Sequence, residues 1–331
     1  MANRLTMSWL VACAISVPSV LRGQVPADTP QVKALVVSAL RAAGPEWQEA
    51  ATFFCATEEQ VAAMKILPSA TVNDLEGQRA EPMKVFDNLY FVGQKAVTTW
   101  AITTPDGIIL IDAGYADRVD DTLVAGMKKV GLDPANIKIA LIAHGHNDHF
   151  GGAKGLHDRF GTRIGMSAQD WDFIQPKPGQ TGGGAVPERD LVLEEGRPVT
   201  LGGTSVVPVL IPGHTPGSMG FIFPVTDGAK TYTAGLFGGT VLNPARQIPI
   251  AQFEQYLASI AHWRDVTSRA KVDVELMNHP IMDGLFVKLS TLKSRKPGDP
   301  HPLVVGSASF QRLVAAQRDC MKAQIARRQS T

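Results

Sequence analysis

The 331-residue chain lacks most of the composition signals that mark special classes of protein. Its net charge is only +1 and it has no run of five or six like charges, so neither a nucleic-acid partner nor an anionic membrane surface is expected. It has no repeat of 20 to 50 residues, no CxxC pair among its three cysteines and no GxSxG motif. With 44% hydrophobic and 19% charged residues, the composition is that of an ordinary globular protein.

The N-terminus contains an apolar stretch that indicates where the protein is located. Residues 9–21 follow Arg4 and are too few to span a bilayer, which takes about 20 residues. A positive start and a short apolar core are typical of a signal peptide. We therefore predict a signal peptide at residues 1–23, a periplasmic or secreted protein, and no stable membrane insertion after its removal. Two alternatives stay open: lipidation at Cys13, which ends a lipobox-like LVAC, and a buried N-terminal helix.

Two cysteines, Cys55 and Cys320, remain after the predicted cleavage. In an oxidising compartment they could form a disulfide. They could equally be two buried thiols, because cysteine is among the most buried residue types. The sequence does not decide between these alternatives.

The rest of the chain divides into a mostly helical extension, residues 24–83, and a larger catalytic domain, residues 84–331. Apolar runs bounded by turn residues predict strands, and amphipathic stretches predict helices. The predicted strands are residues 84–92, 98–103, 107–113, 137–143, 163–167, 198–201, 205–211, 219–224, 230–234 and 272–277. The predicted helices are residues 117–130, residues 148–160, a helix through Trp171 and Phe173, residues 251–266 and residues 308–328.

Strands and helices recur in this way in two successive halves, without a linker of Pro, Gly and Ser between them. This pattern predicts an α/β fold, a sandwich of sheets inside and helices outside, built as one domain from two similar halves. The Gly- and Pro-rich segment at residues 175–187 is expected to be a mobile loop or a tether.

Most of the chemistry is concentrated in the segment AHGHNDH at residues 143–149. It places His144, His146, Asp148 and His149 in a tight turn between a predicted strand and a predicted helix. Imidazole nitrogens and carboxylate oxygens are the ligands that zinc takes when thiolates are absent. His144 and His146 can reach one point and Asp148 and His149 another, so the spacing indicates two adjacent metal ions.

Two more histidines follow the ends of predicted strands. His214 lies in PGHTPGS and His279 in MNHP, and each is placed where the backbone turns sharply. Together with the first segment, both are expected to be metal ligands. His157, His262 and His301 lack such a context and are expected to be surface residues.

In this order, HGHNDH, GHTPGS and NHP resemble the motifs of the metallo-beta-lactamase superfamily. The resemblance covers roughly residues 84–300 and includes IDAG at residues 111–114. It implies an αββα sandwich with a dimetal site at one edge of the sheets. Asp112 would then fix the site through hydrogen bonds.

The closest resemblance is to the third subclass of the class B β-lactamases, the Asp-His-His dizinc enzymes. Many other members carry a metal-bridging aspartate after the strand that follows the second motif. The corresponding segment of this chain, residues 232–237, is YTAGLF and contains no carboxylate. The resemblance then implies two Zn²⁺ ions with three ligands each. The metal ligands would be His144, His146 and His214 for one ion, and Asp148, His149 and His279 for the other. One departure is that Gly235 and Phe237 stand where that subclass carries serines that hold the substrate carboxylate.

These residues predict a zinc-dependent hydrolase of a small-molecule substrate. Zinc lowers the pKa of bound water to about 7, which supplies hydroxide for attack on a carbonyl, and Asp148 would orient it as a catalytic residue. The leading hypothesis is opening of a cyclic amide, a β-lactam, with antibiotic resistance as the consequence. The alternatives are a lactonase, esterase or thioesterase on the same dizinc site, and a non-catalytic metal-binding protein. The sequence gives no indication of the oligomeric state.

Overall fold

The computed structural model describes residues 28–63, 75–176, 185–240, 242 and 248–330. Its strands are β1 Met83–Phe86, β2 Leu89–Phe91, β3 Trp100–Thr104, β4 Gly107–Ile111, β5 Ile137–Leu141, β6 Arg163–Ser167, β7 Leu191–Leu193, β8 Val199–Leu201, β9 Thr204–Leu210, β10 Met219–Asp227, β11 Lys230–Phe237 and β12 Val274–Met277. Its α-helices are α1 Pro30–Ala43, α2 Gln48–Cys55, α3 Glu58–Ala63, α4 Leu75–Gln78, α5 Ala125–Lys129, α6 Asn147–Phe150, α7 Ala153–Phe160, α8 Ala168–Phe173, α9 Ile250–Ala270, α10 Leu285–Lys293 and α11 Ser307–Gln329. The predicted signal peptide and most of the predicted loop at residues 175–187 lie outside the described residues.

The strands form two sheets. The first has seven strands in the order β1 to β7, antiparallel from β1 to β4 and parallel from β4 to β7. The second has five strands in the order β12-β11-β10-β9-β8, of which only β11 and β12 are parallel.

Three apolar layers hold these sheets together. Between the sheets lies a core built from both, in which Trp100, Phe91 and Phe221 are fully buried. A second core, containing Trp171 and Met127, lies between the first sheet and its helices, and a third, containing Trp263 and Phe253, lies under α9 and α11. Helix, sheet, sheet and helix are thus stacked in four layers, which confirms the predicted αββα sandwich.

Several predicted elements differ in detail. The predicted strand at residues 84–92 is a hairpin, and the predicted helix at 117–130 is a 3₁₀ turn, a π-helix (Val119–Val124) and the short α5. The predicted helix at 148–160 is broken between α6 and α7. Gly152 N donates at 3.0 Å to the Gly114 carbonyl oxygen in the loop after β4 and so does not continue the helical hydrogen-bond pattern.

The helices of the N-terminal extension lie on the C-terminal helix. Helices α1 and α2 both pack against α11, and a disulfide joins Cys55 at the end of α2 to Cys320 in α11. The pairing that the sequence left open is therefore present in the structure. Because the two cysteines are 265 residues apart, the bond closes almost the whole described chain into one loop.

Candidate metal centre

The candidate site lies at one edge of the sandwich, where the strands of both sheets end. The AHGHNDH segment follows β5, the segment around His214 connects β9 to β10, and His279 follows β12. Because the carboxyl ends of the parallel strands β4 and β5 meet at the same edge, the IDAG turn after β4 lies beside the AHGHNDH segment. The fold therefore brings together all six predicted ligands.

Three histidines form the first cluster: His144, His146 and His214. The His214 Nε2 atom lies 3.1 Å from His144 Nε2 and 2.9 Å from His146 Nδ1. In a tetrahedral site with Zn–N bonds of about 2.0–2.1 Å, the nitrogens are separated by roughly 3.3 Å. The donor atoms of the first cluster are thus spaced as the ligands of one metal ion would be.

Asp148, His149 and His279 form the second cluster. His149 Nε2 lies 3.3 Å from both Asp148 Oδ2 and His279 Nε2, and the third edge of this triangle, His279 Nε2 to Asp148 Oδ2, measures 3.9 Å. His144 also offers an atom within 4.8 Å of Asp148 and His149, so the two clusters adjoin. Their donor set, five imidazoles and one carboxylate, fits a pair of borderline-soft divalent cations such as zinc.

The second cluster is oriented by hydrogen bonds on the far side of its rings. His149 Nδ1 lies 2.7 Å from Asp112 Oδ2, and His279 Nδ1 lies 2.8 Å from the carbonyl oxygen of Ala96. An acceptor at Nδ1 keeps the proton there and leaves the Nε2 lone pair free for a metal. Asp112 also accepts a hydrogen bond of 2.8 Å from Ala143 N, and thus takes the positioning role that the resemblance implied.

His144 is held in a similar way by Asn278 and Thr240. The side-chain amide of Asn278 lies 3.3 Å from His144 Nδ1, and Thr240 Oγ1 bonds the other end of that amide at 2.9 Å. In the structure the amide nitrogen Nδ2 faces the ring, and Thr240 Oγ1 donates to the amide oxygen Oδ1. The other orientation of the amide would place its oxygen at the ring to accept the Nδ1 proton, with Thr240 Oγ1 donating to the Phe237 carbonyl oxygen. His144 Nε2 would then be unprotonated and directed at the first cluster.

The electrostatics of the site favour a positive charge at the second cluster. Burial opposes protonation of His149, but the carboxylates of Asp148 and Asp112 raise its pKa to about 10. Burial also opposes ionisation of Asp148, yet the adjacent His149 holds the pKa of that carboxyl well below its usual range. Burial lowers the pKa of His144 and of His279, so both rings favour the neutral form that a metal requires.

Asp170, in α8, is a positioning residue that the sequence did not reveal. Its carboxylate accepts hydrogen bonds from Gly145 N at 2.8 Å, Gly217 N at 2.7 Å and Thr215 Oγ1 at 2.6 Å. It therefore ties the loop of His144 and His146 to the loop of His214. The only local signal is the pattern Ser167-x-x-Asp170, which predicts a helix cap and does not indicate what else the carboxylate contacts.

The structure corrects the expectation for Gly235 and Phe237. The Phe237 ring is buried and makes edge-to-face contacts with Tyr256 and Trp263, 5.9 and 5.6 Å between centroids. A side chain at Gly235 would meet Val272, Phe310 and Trp263. Both positions face the core under α9, so neither occupies the place of a group that anchors substrate.

A different glycine of this segment approaches the metal centre. A side chain at Gly239 would come within 2.7–3.0 Å of the His214 ring, and its φ of +82° is in the left-handed region. The backbone after β11 thus packs directly on the side chain of His214, a predicted ligand, which only glycine permits.

One of the three histidines expected at the surface is in fact buried. His301 stacks on Phe86 at 3.9 Å between ring centroids, and its Nε2 bonds the Val85 carbonyl oxygen at 2.8 Å. It is a core histidine remote from the site. His157 is exposed as predicted, and His262 is partly exposed beside Glu195.

A site of paired histidine and carboxylate clusters at the strand ends of an αββα sandwich is characteristic of metallo-hydrolases. Residues 92–228 match the family model described as the metallo-beta-lactamase superfamily, and they form a domain of that superfamily. This confirms the family that the motifs indicated.

Solved structures with a similar fold include β-lactamases. The FEZ-1 metallo-beta-lactamase from Legionella gormanii superimposes with a TM-score of 0.67 at 26% identity, over 77% of this chain and 98% of that one. BJP-1, a subclass B3 metallo-beta-lactamase of Bradyrhizobium japonicum, gives 0.66 at 24% identity, over 76% and 97%. At such identity the second comparison shows the fold alone.

Curated relatives match over a shorter part of the chain. Hydroxyacylglutathione hydrolase GloC of Haemophilus influenzae is 36% identical over 121 residues, which is 34% of this chain and 54% of that protein. The probable metallo-hydrolase YybB of Bacillus subtilis is 30% identical over 127 residues, 37% and 54% respectively. The chain thus spans about half the length of these relatives.

Proposed function

We propose that this protein is a zinc-dependent hydrolase that opens a β-lactam ring or a similar carbonyl substrate. Two Zn²⁺ ions would be held by the first cluster and the second cluster. The observation that carries the proposal is the pair of adjoining triangles of donor atoms, each with separations close to those of a zinc site. A non-catalytic metal-binding role would not require two such centres side by side.

Bound at this site, zinc would lower the pKa of water to about 7 and polarise the substrate carbonyl. The protein's contribution is to orient the imidazole rings, through Asp112, Ala96 O and Asn278. Asp148 is the most exposed member of the second cluster, with 24% of its side chain accessible against 15% for His279. Its ionised carboxylate can therefore accept a hydrogen bond from the attacking water and fix its direction.

Two features support a β-lactam as the substrate. The six ligands contain no bridging carboxylate, which the resemblance associates with the Asp-His-His subclass, and the fold superimposes on nearly the whole length of known β-lactamases. An ester, lactone or thioester is the second candidate. It is favoured by relatives named as hydroxyacylglutathione hydrolases.

We also propose export to the periplasm or secretion. The Cys55–Cys320 disulfide supports this proposal, because such bonds persist in oxidising compartments. Among the described residues, no helix combines the length and the hydropathy needed to cross a membrane. Mass spectrometry of the N-terminus of periplasmic protein tests the proposal: a start near residue 24 is expected, and an intact N-terminus or a lipid on Cys13 would contradict it.

The activity is tested by a turnover screen of the zinc-loaded protein against β-lactams, lactones, aryl esters and thioesters. His146→Ala, which removes one ligand of the first cluster, is the matched inactive control. Turnover of β-lactams by the wild type but not by His146→Ala would support the first candidate. Inert β-lactams with brisk hydrolysis of a lactone, ester or thioester would replace it with the second, and no hydrolysis of any class would overturn the proposal.

A further inference from the structure

A cavity of about 170 Å³ adjoins the metal centre on the side of the N-terminal extension. Two of the proposed ligands, His214 and His279, form part of its lining. The opposite walls come from outside the superfamily domain. Phe53, Phe54 and Val61 of α2 and α3 line one side, and Met321 of α11 lines another. We call this space the substituent cavity.

The wall formed by α2 is fixed to the C-terminal helix. The disulfide joins Cys55 to Cys320, and Gln324 Nε2 donates to the carbonyl oxygens of Phe54 and Ala56 at 3.3 and 2.8 Å. Arg327 Nη1 donates to the Cys55 carbonyl oxygen at 2.7 Å. These bonds satisfy the last carbonyls of α2, so the cavity is preformed and does not depend on a substrate to order it.

The chemistry of the lining selects a neutral group. Among the described residues around it there is no lysine, arginine, aspartate or glutamate. The polar side chain of Gln317 directs its Nε2 donor to the Thr240 carbonyl oxygen and the Tyr256 hydroxyl, both at 3.2 Å. In the part of the cavity away from His214 and His279, an anion would lose its hydration without gaining a charged partner, which is costly, whereas an apolar group gains from burial.

The size of the cavity defines the group further. An apolar cavity of about 150 Å³ is known to bind benzene. The substituent cavity is slightly larger, so an aryl ring or an alkyl segment of comparable volume fits it.

We propose that the substituent cavity is a specificity subsite for a neutral apolar substituent, an aryl ring or an alkyl chain, next to the carbonyl that is cleaved. The inference rests on the proposed function and names the part of the substrate that this chain selects. Helices α2 and α3, which form part of the lining, precede the residues that match the family model.

The test uses two series of increasing chain length on the zinc-loaded, full-length mature protein. Alkyl hydroxamates, from acetohydroxamate to octanohydroxamate, report binding by calorimetry without any turnover. Aryl esters with a constant leaving group and the same acyl chains report kcat/KM. If the cavity takes the chain, each added methylene strengthens both quantities about fourfold until the space is filled.

Val61→Phe should fill the cavity. It is expected to weaken binding of the longer hydroxamates at least tenfold and to leave acetohydroxamate unchanged. Val37→Phe is the matched control, because Val37 is 53% exposed on α1 and does not line the cavity. If Val61→Phe does not fold, Met321→Ala gives the converse test, since a larger cavity should move the optimum to a longer chain.

The outcomes separate this inference from the proposed function. Hydrolysis of esters with no dependence on chain length in either series would overturn the subsite and leave the hydrolase proposal standing. Chain-length-dependent hydroxamate binding without hydrolysis of any substrate would support the subsite as a binding site and overturn the hydrolase proposal. Equal effects of Val61→Phe and Val37→Phe would also contradict the subsite.

Discussion

The Asp170 carboxylate joins the two loops that carry the histidines of the first cluster, by three hydrogen bonds. Burial raises the pKa of Asp170, and the hydrogen bonds from Thr215, Gly145 and Gly217 oppose this shift. We predict that Asp170→Asn lowers zinc affinity and kcat/KM about 10- to 100-fold, as loss of groups that orient ligands generally does. Competition with a chelator measures the affinity.

Asp172→Asn is the control for this prediction, because Asp172 is on the same helix but 73% exposed and paired with Arg189. It should retain wild-type zinc affinity. Equal affinity in the Asp170 and Asp172 variants would show that Asp170 does not position the ligands.

The Phe237 ring packs between Tyr256 and Trp263, so its truncation leaves a cavity. Phe237→Ser should lower the free energy of unfolding by about 3–5 kcal/mol, the usual cost of removing a buried phenylalanine, and should not improve KM for β-lactams. Denaturant titration and steady-state kinetics give the two quantities. A stable variant with a lower KM would mean that position 237 does face the substrate.

Glu275, Asp283 and Lys288 form a buried charged group behind the His279 loop. Lys288 Nζ lies 3.0 Å from Glu275 Oε2 and 3.6 Å from Asp283 Oδ2, so two carboxylates share one cation. Burial raises the pKa of Glu275 to about 8, well above its usual value, although Lys288 opposes this shift. The folded protein therefore binds the Glu275 proton more tightly than the unfolded chain does.

Since a raised carboxyl pKa favours folding only while the group is protonated, stability should fall as the pH rises from about 5 to about 8. A single coupled proton contributes up to about 1.4 kcal/mol per pH unit. We predict that Glu275→Gln, which cannot lose this proton, gives a flatter profile than the wild type in denaturant titrations at matched zinc. Parallel profiles would contradict the shift.

At the scale of elements, the disulfide between α2 and α11 holds the N-terminal extension on the domain. A bond that closes so long a loop restricts the unfolded chain strongly. Cys55→Ser should therefore lower the free energy of unfolding by about 2–5 kcal/mol. Unfolding of the wild type in reductant should match the variant, and wild-type stability that does not respond to reductant would contradict the bond.

The elements that the sequence predicts well are those with a local signal. The strand Ile137–Leu141 and the helix Ile250–Ala270 follow from apolar runs and periodicity. The hairpin at Asp87 and Asn88 does not, because its turn is stabilised from a distance: Gly228 N donates to Asp87 Oδ2 and Thr226 N donates to Asn88 Oδ1. Strand Leu191–Leu193 is too short to give a periodic pattern.

The residues of the site likewise divide into those that have a local sequence signal and those placed by distant contacts. Its ligands lie in compact motifs, so residue type and spacing were sufficient to predict that they would meet. Asp170 is 25 residues from Gly145 and 45 from Thr215, and no local pattern connects them. The substituent cavity is likewise formed by the two ends of the chain, whose packing follows from the disulfide and helix contacts of α11.

At the scale of the whole molecule, we expect the edge of the sandwich to hold two zinc ions, one in each cluster. The direct measurement is the zinc content of the purified mature protein, by elemental analysis after zinc loading and removal of excess metal. The wild type should contain about two zinc ions per chain. His146→Ala and His279→Ala, one ligand from each cluster, should each contain about one. One ion or none in the wild type, or two in either variant, would contradict the dinuclear site.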